Sequence, residues 1–217
     1  MQEEMMANEN IKITIDIEEY QESFEFYGFK KCTNAHFSHL FVGQLIGYGK
    51  LRLIDPFIVA QEILAMEGIR GKSLTKPATK FTKGKIKGYW HKHFFDAHHL
   101  GVNIAQHFAK GDVTKGKASY PGLDRVINRI MDSTKSDIIT QEMTNELAHT
   151  VSVSAYEERA KAEKLTGDWI IYVKHKEQNY YLAIASHSQD TDELYEFIKK
   201  HCMPQFPFLF DDSHSSI

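Results

Sequence analysis

An α+β fold, mainly helical with a small, largely antiparallel sheet, is what this chain of 217 residues predicts. Three observations carry that reading. Two aromatic and β-branched runs near the C-terminus, 168–175 and 180–186, flank Lys176-Glu177-Gln178-Asn179 and read as a C-terminal hairpin. Ahead of them, several segments repeat apolar residues at helical spacing. No linker rich in Gly, Ser and Pro separates two cores, so the chain reads as a single domain over 1–217.

Each element has its own signal. Ile11-Lys12-Ile13-Thr14-Ile15-Asp16-Ile17 alternates apolar and polar residues and predicts an early strand. Asn34 is a candidate cap for a helix reaching Tyr48, with Phe37, Leu40, Phe41, Gln44, Leu45 and Tyr48 at helical spacing. Asp55-Pro56 is an N-cap and N1 pair opening a helix over 57–67, which Gly68 closes. The stretch 69–88 lacks helical periodicity and predicts a long loop, ending in a short strand near 85–89.

A helix is predicted over 94–110, because Trp90, Phe94, Ala97, Gly101, Ile104, Ala105 and Phe108 fall on one face. Pro121 opens the next, with Leu123, Val126, Ile127 and Ile130 inward. Ser136 or Asp137 caps another that runs to about His149, and 155–165 is helical up to Gly167. After the hairpin, Asp190 begins a last helix. The tail 204–210 is extended by Pro204 and Pro207, and its aromatic residues are expected to pack across the body.

Composition narrows the class. Hydrophobic residues at 42% and charged residues at 25% exclude a disordered or low-complexity chain. No apolar run approaches the length of a membrane span, and the acidic start has no apolar signal region. Two cysteines, Cys32 and Cys202, are too few for a disulfide scaffold and have no ligand spacing. A soluble cytoplasmic protein with no membrane partner is the expectation.

Charge is unevenly spread. Arg70, Lys72, Lys76, Lys80, Lys83, Lys85, Lys87 and Lys92 form a basic strip with no acid between Glu67 and Asp96. The rest of the chain holds 18 basic against 29 acidic residues. A basic strip on an acidic body binds a polyanion at one place, although such runs are also common as plain solvated surface.

The strip runs into His91, His93, His98 and His99, four of the chain's 12 histidines. Paired histidines give and take protons near neutral pH, and lysines beside them stabilise charge developing on a phosphate. That is the chemistry of metal-independent RNA cleavage: one histidine deprotonates the 2′-hydroxyl and another protonates the leaving oxygen. His93, His187 and His91 are the catalytic candidates. Lys83, Lys85, Lys87 and Lys92 are the candidate phosphate binders. No cofactor is expected on this reading.

Two alternatives remain open. If a helix covers 93–107, then His93, Asp96, His99 and His107 share one edge and offer half of a divalent-metal site for a metal-dependent hydrolase. Otherwise the basic loop 70–92 serves a non-enzymatic module that binds nucleic acid or protein, and the histidines are structural. GxSxG, Walker, GxGxxG, HExxH and CxxC motifs are absent.

Trp169-Ile170-Ile171-Tyr172-Val173 and Tyr180-Tyr181-Leu182-Ala183-Ile184-Ala185-Ser186-His187, preceded by helices, resemble the sheet core of the barnase/EndoU/RelE-type (BECR-fold) ribonuclease toxins. The resemblance covers about 20 residues. It implies RNA cleavage without a metal, with His187 and Ser186 as the positions carried over. The family has about four consecutive strands, and only one firm hairpin is legible here. The combined expectation is a small nuclease acting on RNA, a toxin or phage-defence component with an antitoxin or other protein as further partner.

Overall fold

The computed structural model describes residues 17–96, 99–113, 116–134, 139–162, 164–165 and 167–210. The predicted strand over 11–17 falls outside them up to residue 16. Ala97, His98, Ser136 and Asp137 fall outside them as well. The fold is α+β, with a mixed, mostly antiparallel sheet whose five strands lie in the order β1 (Ala35–Phe37), β5 (Gln178–Ala185), β4 (Trp169–His175), β3 (Trp90–His93) and β2 (Thr79–Lys80). The chain divides into two compact units. The first comprises residues up to Phe95 and from Gly167 onward; the second is Asp96–Thr166, inserted in the chain between two strands of the sheet.

In the first unit, α1 (Ile17–Phe26) precedes β1 (Ala35–Phe37), α2 (His39–Lys50) and α3 (Pro56–Met66). The α2 cap is Ser38, whose hydroxyl accepts from Phe41 N, and not Asn34, because β1 takes up residues 35–37 and pairs in parallel with β5. Asp55 caps α3 as expected, accepting from Phe57 N, with Pro56 at the first helical position. Gly49 permits the close α2–α3 turn, where a Cβ would stand 2.5 Å from Pro56 Cγ.

The loop after α3 contains β2 (Thr79–Lys80), and the next strand is β3 (Trp90–His93), beyond the 85–89 expected. β3 lies where a helix start was predicted. Its residues alternate by two: Trp90 and Phe94 pack with the α2 and α3 cluster, while His91 and His93 contact Trp169 on the other face.

The hairpin pairs β4 (Trp169–His175) with β5 (Gln178–Ala185). Its turn is tighter than expected. Lys176 and Glu177 both have positive φ, as a two-residue type I′ turn requires, so β5 starts at Gln178. Asp190 caps α8 (Thr191–Cys202) through Asp192 N and Glu193 N.

Ile170, Tyr172, Tyr181 and Ile184 face the α2 and α3 cluster. Ile171, Leu182 and Ala183 face α8 with Leu194, Ile198 and Cys202. The tail packs on that second face, as the expectation of buried aromatics required. It is a 3-10 turn at Pro207–Leu209 instead of an extended strand, and Phe206, Leu209 and Phe210 are buried.

The second unit holds α4 (Leu100–Phe108), α5 (Pro121–Thr134), α6 (Gln141–His149) and α7 (Ala155–Lys161), with a π-helical turn at Thr150–Ser154. α4 is shorter than the helix predicted over 94–110. Thr140 caps α6 by accepting from Met143 N. Buried Asn103 and Arg159 brace the unit: Arg159 Nε donates to Asn103 Oδ1, and its NH2 group donates to Lys164 O. No helix among the described residues is long and apolar enough to cross a membrane.

Candidate active site

Antiparallel pairing brings three strand ends to one edge. His93 is opposite Trp169, and Trp169 is opposite Ala185, so the end of β3, the start of β4 and the end of β5 are adjacent. His187 follows two residues after Ala185. Its backbone N–H donates to Asp168 Oδ1 at 3.1 Å, which holds the turn over the sheet face. The His93 and His187 rings consequently stack, with centroids 5.5 Å apart and planes 27° from parallel. Trp169 joins them, at 4.8 Å from His187 and 6.3 Å from His93. His91, two residues before His93 on the same face, is 5.1 Å from Trp169. Phe81 closes the group, 4.5 Å from His91 and 5.3 Å from Trp169.

His93 is buried, and its Nδ1 lies 2.7 Å from Gly167 O. Gly167 N–H lies farther from the same nitrogen, at 3.4 Å, and the nearer carbonyl oxygen only accepts, so Nδ1 carries the proton and the lone pair of the neutral ring is at Nε2. Burial lowers its pKa to about 4, against the Gly167 hydrogen bond and helped by His91, His187 and Lys76. The His91 pKa is also lowered to about 4, first by burial and then by the charges of His187 and Lys76. Both rings are neutral at pH 7. His187 is exposed.

The lysines divide differently from the sequence expectation. Lys92 is 3% exposed, and its ammonium bonds Ser73 Oγ, Thr75 Oγ1, Thr75 O and Lys76 O, with Glu62 Oε2 at 3.4 Å. It is a structural tether and is not placed to bind phosphate. The cause is the strand: alternation turns Lys92 to the α3 face, opposite the histidines. Lys85 is also committed, since its Nζ lies 2.6 Å from Glu196 and its backbone N–H donates to Asp192 Oδ1. Lys83 and Lys87 are exposed in the same turn. Among the strip's lysines, Lys76 is the one whose charge bears on His91 and His93. Lys76, Trp169 and Phe81 were missed as site residues. The interleaving of aromatic and basic residues was the available signal, and the register that unites them was not.

The metal alternative assumed one helix edge over 93–107. His93 is instead on β3, and α4 starts only at Leu100, with His99 at its N-cap. Asp96, His99 and His107 belong to the second unit, where His107 Nε2 lies 3.6 Å from Glu158. His107 and Glu158 line a cavity of about 290 Å³ there with Arg125 and Arg129. Among the described residues, no three His, Cys, Asp or Glu side chains are placed to hold a metal ion. The Ser186 hydroxyl is engaged with Ser188 Oγ at 3.0 Å. Burial pushes the Cys32 and Cys202 thiols up to about 11, which removes them as thiolate nucleophiles at neutral pH.

No family model, curated protein or solved structure matches this chain. The residues themselves therefore carry the functional argument. A neutral histidine with its Nδ1 proton bound to Gly167 O, stacked on an exposed histidine and contacted by aromatic rings, is equipped for proton transfer.

Proposed function

We propose that the chain is a nuclease that cleaves RNA by histidine general acid–base catalysis without a metal. The observation that carries this reading is the His93–His187 stack, with His93 Nδ1 bound to Gly167 O. His93 Nε2 takes the proton of the 2′-hydroxyl, and that oxygen attacks the adjacent phosphorus. The exposed His187 gives a proton to the departing 5′-oxygen. The products are a 2′,3′-cyclic phosphate and a free 5′-hydroxyl. The Lys76 charge acts on His93, and the half-buried Phe81 supplies aromatic surface for a nucleobase.

The experiment is incubation of the purified chain with RNA and DNA, with and without EDTA, at several salt concentrations. RNA cleavage that survives EDTA and leaves a 2′,3′-cyclic phosphate supports the reading. Cleavage abolished by EDTA would move the chemistry to a metal. Salt-sensitive retention of RNA without turnover would make the chain a binding module.

A further inference from the structure

Two polar atoms on the histidine-bearing face are buried without a hydrogen-bond partner: Trp169 Nε1 and His91 Nδ1. Trp169 is 7% exposed, so its indole N–H is cut off from solvent. Unpaired buried donors are rare in folded proteins, because each forfeits its hydration without recompense. Here two such atoms sit on rings whose centroids are 5.1 Å apart. Both rings adjoin the candidate catalytic pair: Trp169 contacts His187 at 4.8 Å, and His91 contacts His93 at 5.6 Å.

We propose that Trp169 Nε1 and His91 Nδ1 form the subsite for the non-bridging oxygens of the scissile phosphate, an inference that rests on the ribonuclease reading above. An indole nitrogen only donates, so its partner must be an acceptor. His91 Nε2 lies 3.0 Å from Thr79 Oγ1. A Thr79 hydroxyl that donates to Nε2 leaves the single ring proton at Nδ1, which becomes a second donor. Two N–H donors on adjacent rings select an oxygen-rich acceptor over an apolar group. Of the four lysines expected to hold phosphate, Lys85 is engaged by Glu196 and Lys92 by Ser73 and Thr75. The exposed His187 ring and the Phe81 ring pack against Trp169 and border the subsite. A bound phosphate gives both donors an acceptor.

The test uses the full chain, with inorganic phosphate and a non-cleavable 2′-deoxy-substituted RNA as probes in isothermal titration. Trp169→Phe keeps an aromatic ring and deletes the N–H. It is expected to weaken binding of both probes by about tenfold or more, with a Tm equal to or above that of the parent. Thr79→Val, at an exposed position, is expected to weaken phosphate binding as well, because no hydroxyl then holds the His91 proton at Nδ1. Millimolar phosphate that fails to bind the parent chain, or binding unchanged in both variants, overturns the subsite. Phosphate binding that depends on Trp169 without RNA cleavage sustains the subsite and removes the ribonuclease reading. Cleavage with phosphate binding indifferent to Trp169 does the reverse.

Discussion

His93 and His187 stack with ring centroids 5.5 Å apart, although one ends β3 and the other lies beyond β5. The contact depends on the register of β4 between those strands, since His93 pairs with Trp169 and Trp169 with Ala185. Replacing either histidine should lower RNA cleavage by about a hundredfold to ten-thousandfold. The two should differ in stability. His187→Ala at an exposed site should leave the Tm nearly unchanged. His93→Ala removes a buried ring bonded to Gly167 O and should cost about 1–3 kcal/mol in denaturant unfolding. Cleavage at the parent rate by His187→Ala would remove it from the mechanism.

Acid should destabilise the fold. In the unfolded chain a histidine titrates near its ordinary value of about 6.5, whereas His91 and His93 are lowered to about 4 in the folded state. Between those values the unfolded state binds more protons, so stability is full above about pH 6.5 and falls as pH drops towards about 4. Tm measured from pH 7 to pH 4 should show that decline. His93→Asn, which keeps an amide donor for Gly167 O, should flatten it. A decline of the same size in a His91→Gln, His93→Asn double variant would assign acid lability to other groups.

Much of the fold was legible because local signals agreed with it: the Asp55-Pro56 and Asp190 caps, the β4–β5 hairpin and the helix after Pro121 all formed. β3 was not legible. Trp90, Phe94 and Phe108 fit a helical stripe as well as any true helix, and Lys92 on the core-facing side hid the alternation. Its ammonium is buried because loop oxygens around 73–76 enclose it, a long-range solution that no local pattern announces. His93 and His187 were picked for their chemistry. Their contact needed β3 as a strand. Trp169 was read only as part of a β run, since nothing in the sequence shows that its indole N–H stays unpaired.

Lys76 and Lys85 separate a site cation from a surface one. Lys76 acts on both neutral histidines, while Lys85 is paired with Glu196. Lys76→Ala should weaken RNA binding and make the plot of log affinity against log salt shallower by about one. Lys85→Ala should leave both unchanged. Filter binding of a non-cleavable RNA across salt concentrations measures this. Equal losses in the two variants would mean that the whole strip contacts RNA diffusely.

Lys92 offers the sharpest contrast with its expected role. Its charge is buried against Glu62 and four loop oxygens, so Lys92→Ala strands a buried carboxylate and empties the space the side chain filled. The cost should be about 3–5 kcal/mol. Lys92→Met keeps most of the volume, and combining it with Glu62→Gln removes the stranded charge. The double variant should therefore recover part of the loss, though Ser73, Thr75 and Lys76 O still lose their donor. Urea unfolding of the three variants measures the order Lys92→Ala, Lys92→Met, double variant, from least to most stable. A phosphate-binding lysine would give the opposite pattern, a near-parental midpoint with lost RNA affinity, and that outcome would return Lys92 to the site.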